Sequence, residues 1–321
     1  MRRVLKGLKA FNEFNLKSCY YNQLVSGYSL FGADPQIIAA DYLPLYEFDQ
    51  DNHLLSIRNM EVLREEDRIA LTGVAQKQHR NINEVREFIA VHIDRRMPII
   101  LPVDCFYLHY REDTYQKVHR IHFVLIYGYD TDEEIYFIND HLYLNSKEYK
   151  KHKVSISDIL TAYKEFVNKL QKETSFPVTV LFKKGKANGD FATTYKNNLR
   201  RLGKDIKNSW LAFQNFIRST KSLAERQEVT GEKADNAANM LRDLRQPKMV
   251  QRNILSYVFR NEWLDHIADR VVEDYIFVYG IMVKARHYGK YSEKDLVKFL
   301  ARADELEELE TKLHGFLAEG V

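Results

Sequence analysis

The sequence predicts an α+β protein whose second half is almost wholly helical. Three observations carry this reading. Up to about residue 185, β-branched and aromatic runs alternate with amphipathic helical segments, and beyond it nearly every segment reads at helical spacing. Between the two, Lys183-Lys-Gly-Lys-Ala-Asn-Gly-Asp190 is polar and glycine-containing, as connectors are. The expected division is residues 1–185 and residues 186–321, and a chain of 321 residues suits two domains.

Cys19-Tyr-Tyr-Asn-Gln-Leu-Val-Ser-Gly-Tyr-Ser-Leu-Phe-Gly32 has helical spacing and a glycine stop. Asn81 to Met97 is a second helix, with Val85, Phe88, Ile89 and His92 or Ile93 on one side. Pro98 ends it, and Ile99-Ile-Leu-Pro-Val-Asp-Cys105 follows as a strand. Ile121 to Tyr129 is a dense apolar strand, Asp130-Thr-Asp-Glu-Glu134 a polar turn, and Ile135 to Asn139 the returning strand of a buried hairpin. Ser155 to Leu170 is a helix capped by Ser155 or Ser157, and Val178 to Phe182 closes the half as a strand. Beyond the connector, helices are expected at about 192–226, 231–246, 249–269, 270–288 and 293–318, the last started by Ser292 with Glu293 and Asp295.

Composition excludes several function classes. The formal charge is +3, too small for a typical nucleic-acid binder. No apolar stretch approaches the roughly 18 residues that span a bilayer, and none of signal-peptide length follows Met1-Arg-Arg-Val-Leu-Lys6. A cytoplasmic protein, with neither membrane nor nucleic acid as partner, is expected. The two cysteines, Cys19 and Cys105, make no disulfide framework and suit a reducing compartment. Without a CxxC, an HExxH or a glycine-rich phosphate loop, and with eleven histidines but no ligand spacing, no metal and no cofactor of its own is expected.

Three residues stand in an informative order. Cys19 opens a helix, where partial positive charge and unpaired N–H groups favour thiolate and can hold an oxyanion. His122 enters the apolar strand at a position alternating with Val124 and Ile126; His119, three residues earlier, faces the other way on an extended chain. Asp140 ends the returning strand, and a hairpin turning at 130–134 sets residues near 140 opposite residues near 122. Asn139 is the alternative orienter. Taken singly, a helix-opening cysteine and a strand histidine are more often core residues. Together they form a nucleophile, base and orienter.

These segments resemble the N-terminal domain of butirosin biosynthesis protein H, a papain-like group related to the double-glycine cysteine peptidases that process bacteriocins. The resemblance runs over Cys19-Tyr-Tyr-Asn-Gln-Leu24, Pro102 to Tyr110, Tyr115 to Asp130 and Ile138-Asn-Asp140, within the first 185 residues. It implies a papain-like cysteine protease fold with Cys19, His122 and Asp140 as triad. It also implies an acyltransferase that moves an acyl group from an acyl or peptidyl carrier protein's phosphopantetheinyl thioester to an amine acceptor, forming an amide in antibiotic-type biosynthesis. The related peptidases have a glutamine six residues before the cysteine; Glu13 stands there, and an ionised carboxylate cannot donate to an oxyanion. Asn12, Asn15 or the backbone N–H of Cys19 is expected to substitute, and Tyr107, among nearby aromatics, to line the substrate channel. The eleven basic and three acidic residues from Lys183 to Arg226 are a docking candidate for an acidic carrier. The aromatic-rich helices either cover the cleft or form a homodimer interface. The rival readings are a peptidase or thioesterase-type hydrolase with the same triad, and a non-catalytic binding protein.

Overall fold

The computed structural model describes residues 1–13, 18–80, 82–143, 146, 148–171 and 176–319. Its contacts divide the chain into a unit of Met1–Ala39 with Arg64–Gly189 and a unit of Ala40–Leu63 with Asp190–Val321. The first unit ends four residues past the expected 185, and the excursion 40–63 leaves it for the second.

In chain order, β1 (Arg2–Val4), α1 (Cys19–Ser29) and α2 (Pro35–Ala39) precede the hairpin of β2 (Leu43–Asp49) and β3 (Leu54–Met60). There follow α3 (Glu65–Thr72), β4 (Val74–His79), α4 (Val85–Asp94), β5 (Ile99–Asp104), β6 (Ile121–Asp130), β7 (Ile135–Asp140), β8 (Lys150–Ser155), α5 (Ile156–Glu165) and β9 (Val178–Lys183). The helices α6 (Phe191–Arg201), α7 (Gly203–Glu225), α8 (Glu232–Phe259), α9 (Glu262–Tyr288) and α10 (Glu293–Glu319) complete the chain.

The first unit is built on an antiparallel sheet in the order β4-β9-β5-β6-β7-β8, with β1 also paired to β6. β6 is the central strand and its interior residues are buried on both faces, as its unbroken apolar run requires. Val124 and Ile126 pack in one cluster with Ile89 and Ile93 of α4 and Ile159 of α5. Helix α1 lies close against the sheet because Gly27 carries no side chain: a Cβ there would sit 2.5 Å from Leu181 Cδ1. The β6–β7 register shifts between Ile126 and Gly128, and Leu125 then faces Asn139. Asp140 is thereby one step beyond the last pair and diagonal to His122, the reach that the hairpin register predicts.

The second unit is not wholly helical, because the β2–β3 hairpin belongs to it. Leu43 to Tyr46 are buried, and Tyr46 N–H donates to Ser209 Oγ of α7 at 2.7 Å. Helix breaks fall elsewhere than expected. α8 runs straight through Pro247, since Leu244, Lys248 and Gln251 around it are buried; packing outweighs the roughly 3 kcal/mol that an interior proline costs. The break comes at Arg260, in the left-handed region, followed by Asn261, whose Oδ1 accepts from Trp263 and Leu264 N–H. Ser292 caps α10 as expected, its Oγ accepting from Asp295 N–H at 3.1 Å. Inside the bundle, Lys248 and Glu310 form a fully buried ion pair at 2.7 Å, with Tyr275 Oη donating to Glu310 at 2.9 Å. No helix among the described residues is long and apolar enough to cross a membrane.

Candidate active site

Cys19 is the first residue of α1, with Ser18 extended before it and no side chain capping the helix start. The thiol is hydrogen-bonded to the His122 ring and to the backbone N–H of Phe123. On the other side of the ring, His122 Nε2 donates to Asp140 Oδ1 at 2.6 Å. That bond leaves Nδ1 as the nitrogen facing sulfur. The three residues singled out from the sequence are thus brought into one chain of contacts.

Three further residues hold Asp140, which is completely buried. Tyr110 Oη donates to Oδ2 at 2.7 Å, and the buried Arg111 guanidinium lies at 3.5 Å from the same oxygen. His141 N–H donates to Oδ1 at 2.8 Å. Arg111 Nη1 also donates to the His141 carbonyl at 3.2 Å. No spacing in the sequence announces Arg111; it comes from the loop between β5 and β6.

Gln23 was also missed, though a signal exists. It lies one helical turn after Cys19, a polar residue on the face that α1 buries. Its Nε2 donates to the carbonyls of Asn139, at 2.7 Å, and Phe123, at 3.2 Å, while its Oε1 accepts from Asn139 Nδ2 at 2.9 Å. One side chain thus ties the helix carrying the sulfur to the strands carrying the base and its orienter. Asn139 thus turns its amide N–H toward Gln23 of α1, while Asp140, the next residue, partners His122.

The electrostatics of the chain of contacts favour an ion pair. Burial alone raises the Cys19 thiol, but the His122 charge, its hydrogen bond and the Phe123 N–H outweigh burial and bring it below its ordinary value. Burial works against a charged His122, yet Asp140 and then Cys19 raise it to about 10. Asp140, which burial alone would push up, is held well below the usual carboxylate range by His122 and Arg111. These shifts bias the pair toward thiolate and imidazolium over a carboxylate. Burial keeps His141 at about 4, hence neutral. His122, Asp140 and His141 offer donor atoms within 4.8 Å of one another, the one such group among the described residues. A metal there would compete with the imidazole proton and the neighbouring Arg111 for Asp140, so the donor set suits a cation poorly.

The other expected residues are placed differently. Asn12 directs both ends of its amide to the Tyr149 backbone, at 3.1 and 2.7 Å. Glu13 accepts from Gln36 Nε2. Asn15 lies outside the described residues. Tyr107 Oη donates to Glu165 and accepts from Lys169, so its polar contacts turn away from the trio; Tyr110, three residues on, is the tyrosine that reaches Asp140. Of the named oxyanion donors among the described residues, Asn12 is engaged with Tyr149 and the Cys19 backbone N–H stands at the helix start. Cys105 is buried, and burial pushes its thiol up, the opposite of Cys19.

Residues 36–141 match the family model described as butirosin biosynthesis protein H, N-terminal. The likeness is to that segment, about a third of the chain. The matched segment takes in His122, Asp140, Tyr110 and Arg111 and begins after Cys19. No curated protein matches the chain.

Proposed function

We propose that the protein is a papain-like cysteine acyltransferase of antibiotic-type biosynthesis, taking an acyl group from a carrier-protein thioester and delivering it to an amine. The observation that carries this reading is the Cys19–His122–Asp140 chain, with the thiol lowered and the imidazole raised to about 10. The family likeness supports the biosynthetic setting.

The Cys19 thiolate attacks the thioester carbonyl, forming the sulfur–acyl bond. As the carrier's pantetheine sulfur leaves, His122 gives it a proton and becomes neutral. The exchange of one thioester for another is nearly balanced. An amine then attacks the acyl group on Cys19, neutral His122 takes the amine proton, and thiolate departs, restoring the ion pair. Asp140 keeps the ring in the tautomer that presents Nδ1 to sulfur and stabilises imidazolium. The Cys19 N–H at the start of α1 is the donor best placed for the tetrahedral oxyanion.

The basic stretch from Lys183 to Arg226 is less available for carrier docking than its composition implies. Arg218, Lys221 and Arg226 pair with Glu307, Asp304 and Glu228. A carrier partner rests on the thioester chemistry, not on that stretch.

Incubating the protein with an acylated carrier, with and without saturating amine, tests the reading. Amide in the presence of amine, absent in Cys19→Ala, is expected. Free acid despite saturating amine assigns the same site to a hydrolase, and unchanged cellular activity of Cys19→Ala would leave only a binding protein.

A further inference from the structure

At the end of the first unit's sheet remote from Cys19 lies a cavity of about 730 Å³. Arg3, Lys6, Arg95, Arg96 and Lys183 line it, and none of its lining residues is acidic. These cations come from three places in the sequence: β1 and the residue pair after it, the corner between α4 and β5, and the end of β9. The fold gathers them because β1 pairs with the far end of β6, Arg3 facing Tyr129, while the start of β5 and the end of β9 meet at the same edge.

The nearby Asp94 carboxylate forms no salt bridge with the cluster among the described residues. Arg3 donates to the Asp94 carbonyl at 3.2 Å, but the Asp94 carboxylate accepts from Tyr129 Oη. Among the described residues none of the five cations is in a salt bridge, whereas other surface arginines such as Arg58, Arg64 and Arg86 each are. Like charges gathered around a concavity repel one another and raise the local concentration of anions. Arg96 also holds a positive φ of 61°, where glycine or asparagine would sit more easily. Phe31 and Met97 add apolar wall.

We infer that this cavity binds a small molecule bearing a diphosphate group. The volume suits a small ligand rather than a protein surface. Three guanidiniums with two ammoniums match adjacent phosphates, which arginine engages bidentately and lysine as a point charge. The site is separate from the thiol. Six residues of β6 separate Gly128, beside β1, from His122, a span of about 20 Å at roughly 3.3 Å per residue. The inference therefore stands or falls independently of the acyl-transfer reading.

Calorimetric titration of the full chain with inorganic pyrophosphate and with ADP, at about 0.15 M salt, tests it. Adenosine and sulfate at matched ionic strength are the controls. Saturable binding of pyrophosphate, ADP or both is expected, with ADP the tighter if the apolar wall holds the nucleoside. Lys6→Gln/Arg95→Gln, both exposed positions, should weaken it by about tenfold or more, the loss of a single charge-assisted contact being of that order. Its Cys19 alkylation rate should stay unchanged. No saturable binding of either diphosphate, equal binding of adenosine or sulfate, or undiminished binding by the double variant would overturn the inference.

Discussion

Replacing Asp140 with asparagine should uncouple the thiol from its base while costing the fold several kcal/mol. In the native protein Asp140 Oδ1 accepts from His122 at 2.6 Å, and Oδ2 faces Tyr110 at 2.7 Å and Arg111 at 3.5 Å. Asparagine keeps the size but removes the charge, leaving Arg111 buried without it. Stranding one member of a buried ion pair costs about 3–5 kcal/mol. Holding His122 at about 10 rather than 6.5 corresponds to about 5 kcal/mol, shared between Asp140 and the Cys19 thiolate. The pH dependence follows with a definite sign. A raised histidine stabilises the native state fully below its unfolded value and loses that contribution as pH rises toward 10. The lowered Asp140 stabilises above its own unfolded value, and that contribution fades in acid. Both dependences should shrink in Asp140→Asn. Denaturant unfolding gives the stability, and iodoacetamide alkylation of Cys19 across pH gives the thiolate. The variant should alkylate about tenfold or more slowly at neutral pH, with its midpoint moved upward. An alkylation midpoint identical to that of the native protein would refute the ion-pair reasoning even if stability fell.

Three further outcomes are expected. Gln23→Leu removes three buried hydrogen bonds and leaves the Asn139 amide unpaired, so it should destabilise by about 2–4 kcal/mol and slow Cys19 alkylation; calorimetry and alkylation read the two effects separately. Acyl transfer should decline above about pH 10 as His122 loses its proton, and a transfer rate still rising beyond that pH would count against the assigned base. Lys248→Met strands the buried Glu310 and should cost about 3–5 kcal/mol, most of which Lys248→Met/Glu310→Gln should recover in denaturant unfolding.

The hairpin of β6 and β7 was readable because its two runs are dense, its turn is polar and its ends fix the register. That same register placed an aspartate near the histidine before any coordinate did. The β2–β3 hairpin went unread because its fourfold apolar run is buried by α7, far along the chain, and carries no alternation along Leu43 to Tyr46. Pro247 misled for the complementary reason: a local breaker is tolerated where buried neighbours hold the helix. Arg260-Asn261 held the true signal, an N-cap asparagine ahead of Glu262. At the site, local chemistry identified Cys19, but Arg111 lies in a loop whose sequence looks solvated, and its complete burial comes from tertiary packing. Tyr107 and Asn12 were reasonable by proximity in sequence; one turns to Glu165 and Lys169, the other to the Tyr149 backbone.

Intact-mass measurement after brief exposure to an acylated carrier, without amine, probes the acyl-enzyme directly. The native protein should gain the mass of one acyl group, mapped to Cys19 and discharged by added amine, and Cys19→Ser should gain none at that position. An unmodified native protein, or a label on Cys105 with Cys19 left free, would contradict the account.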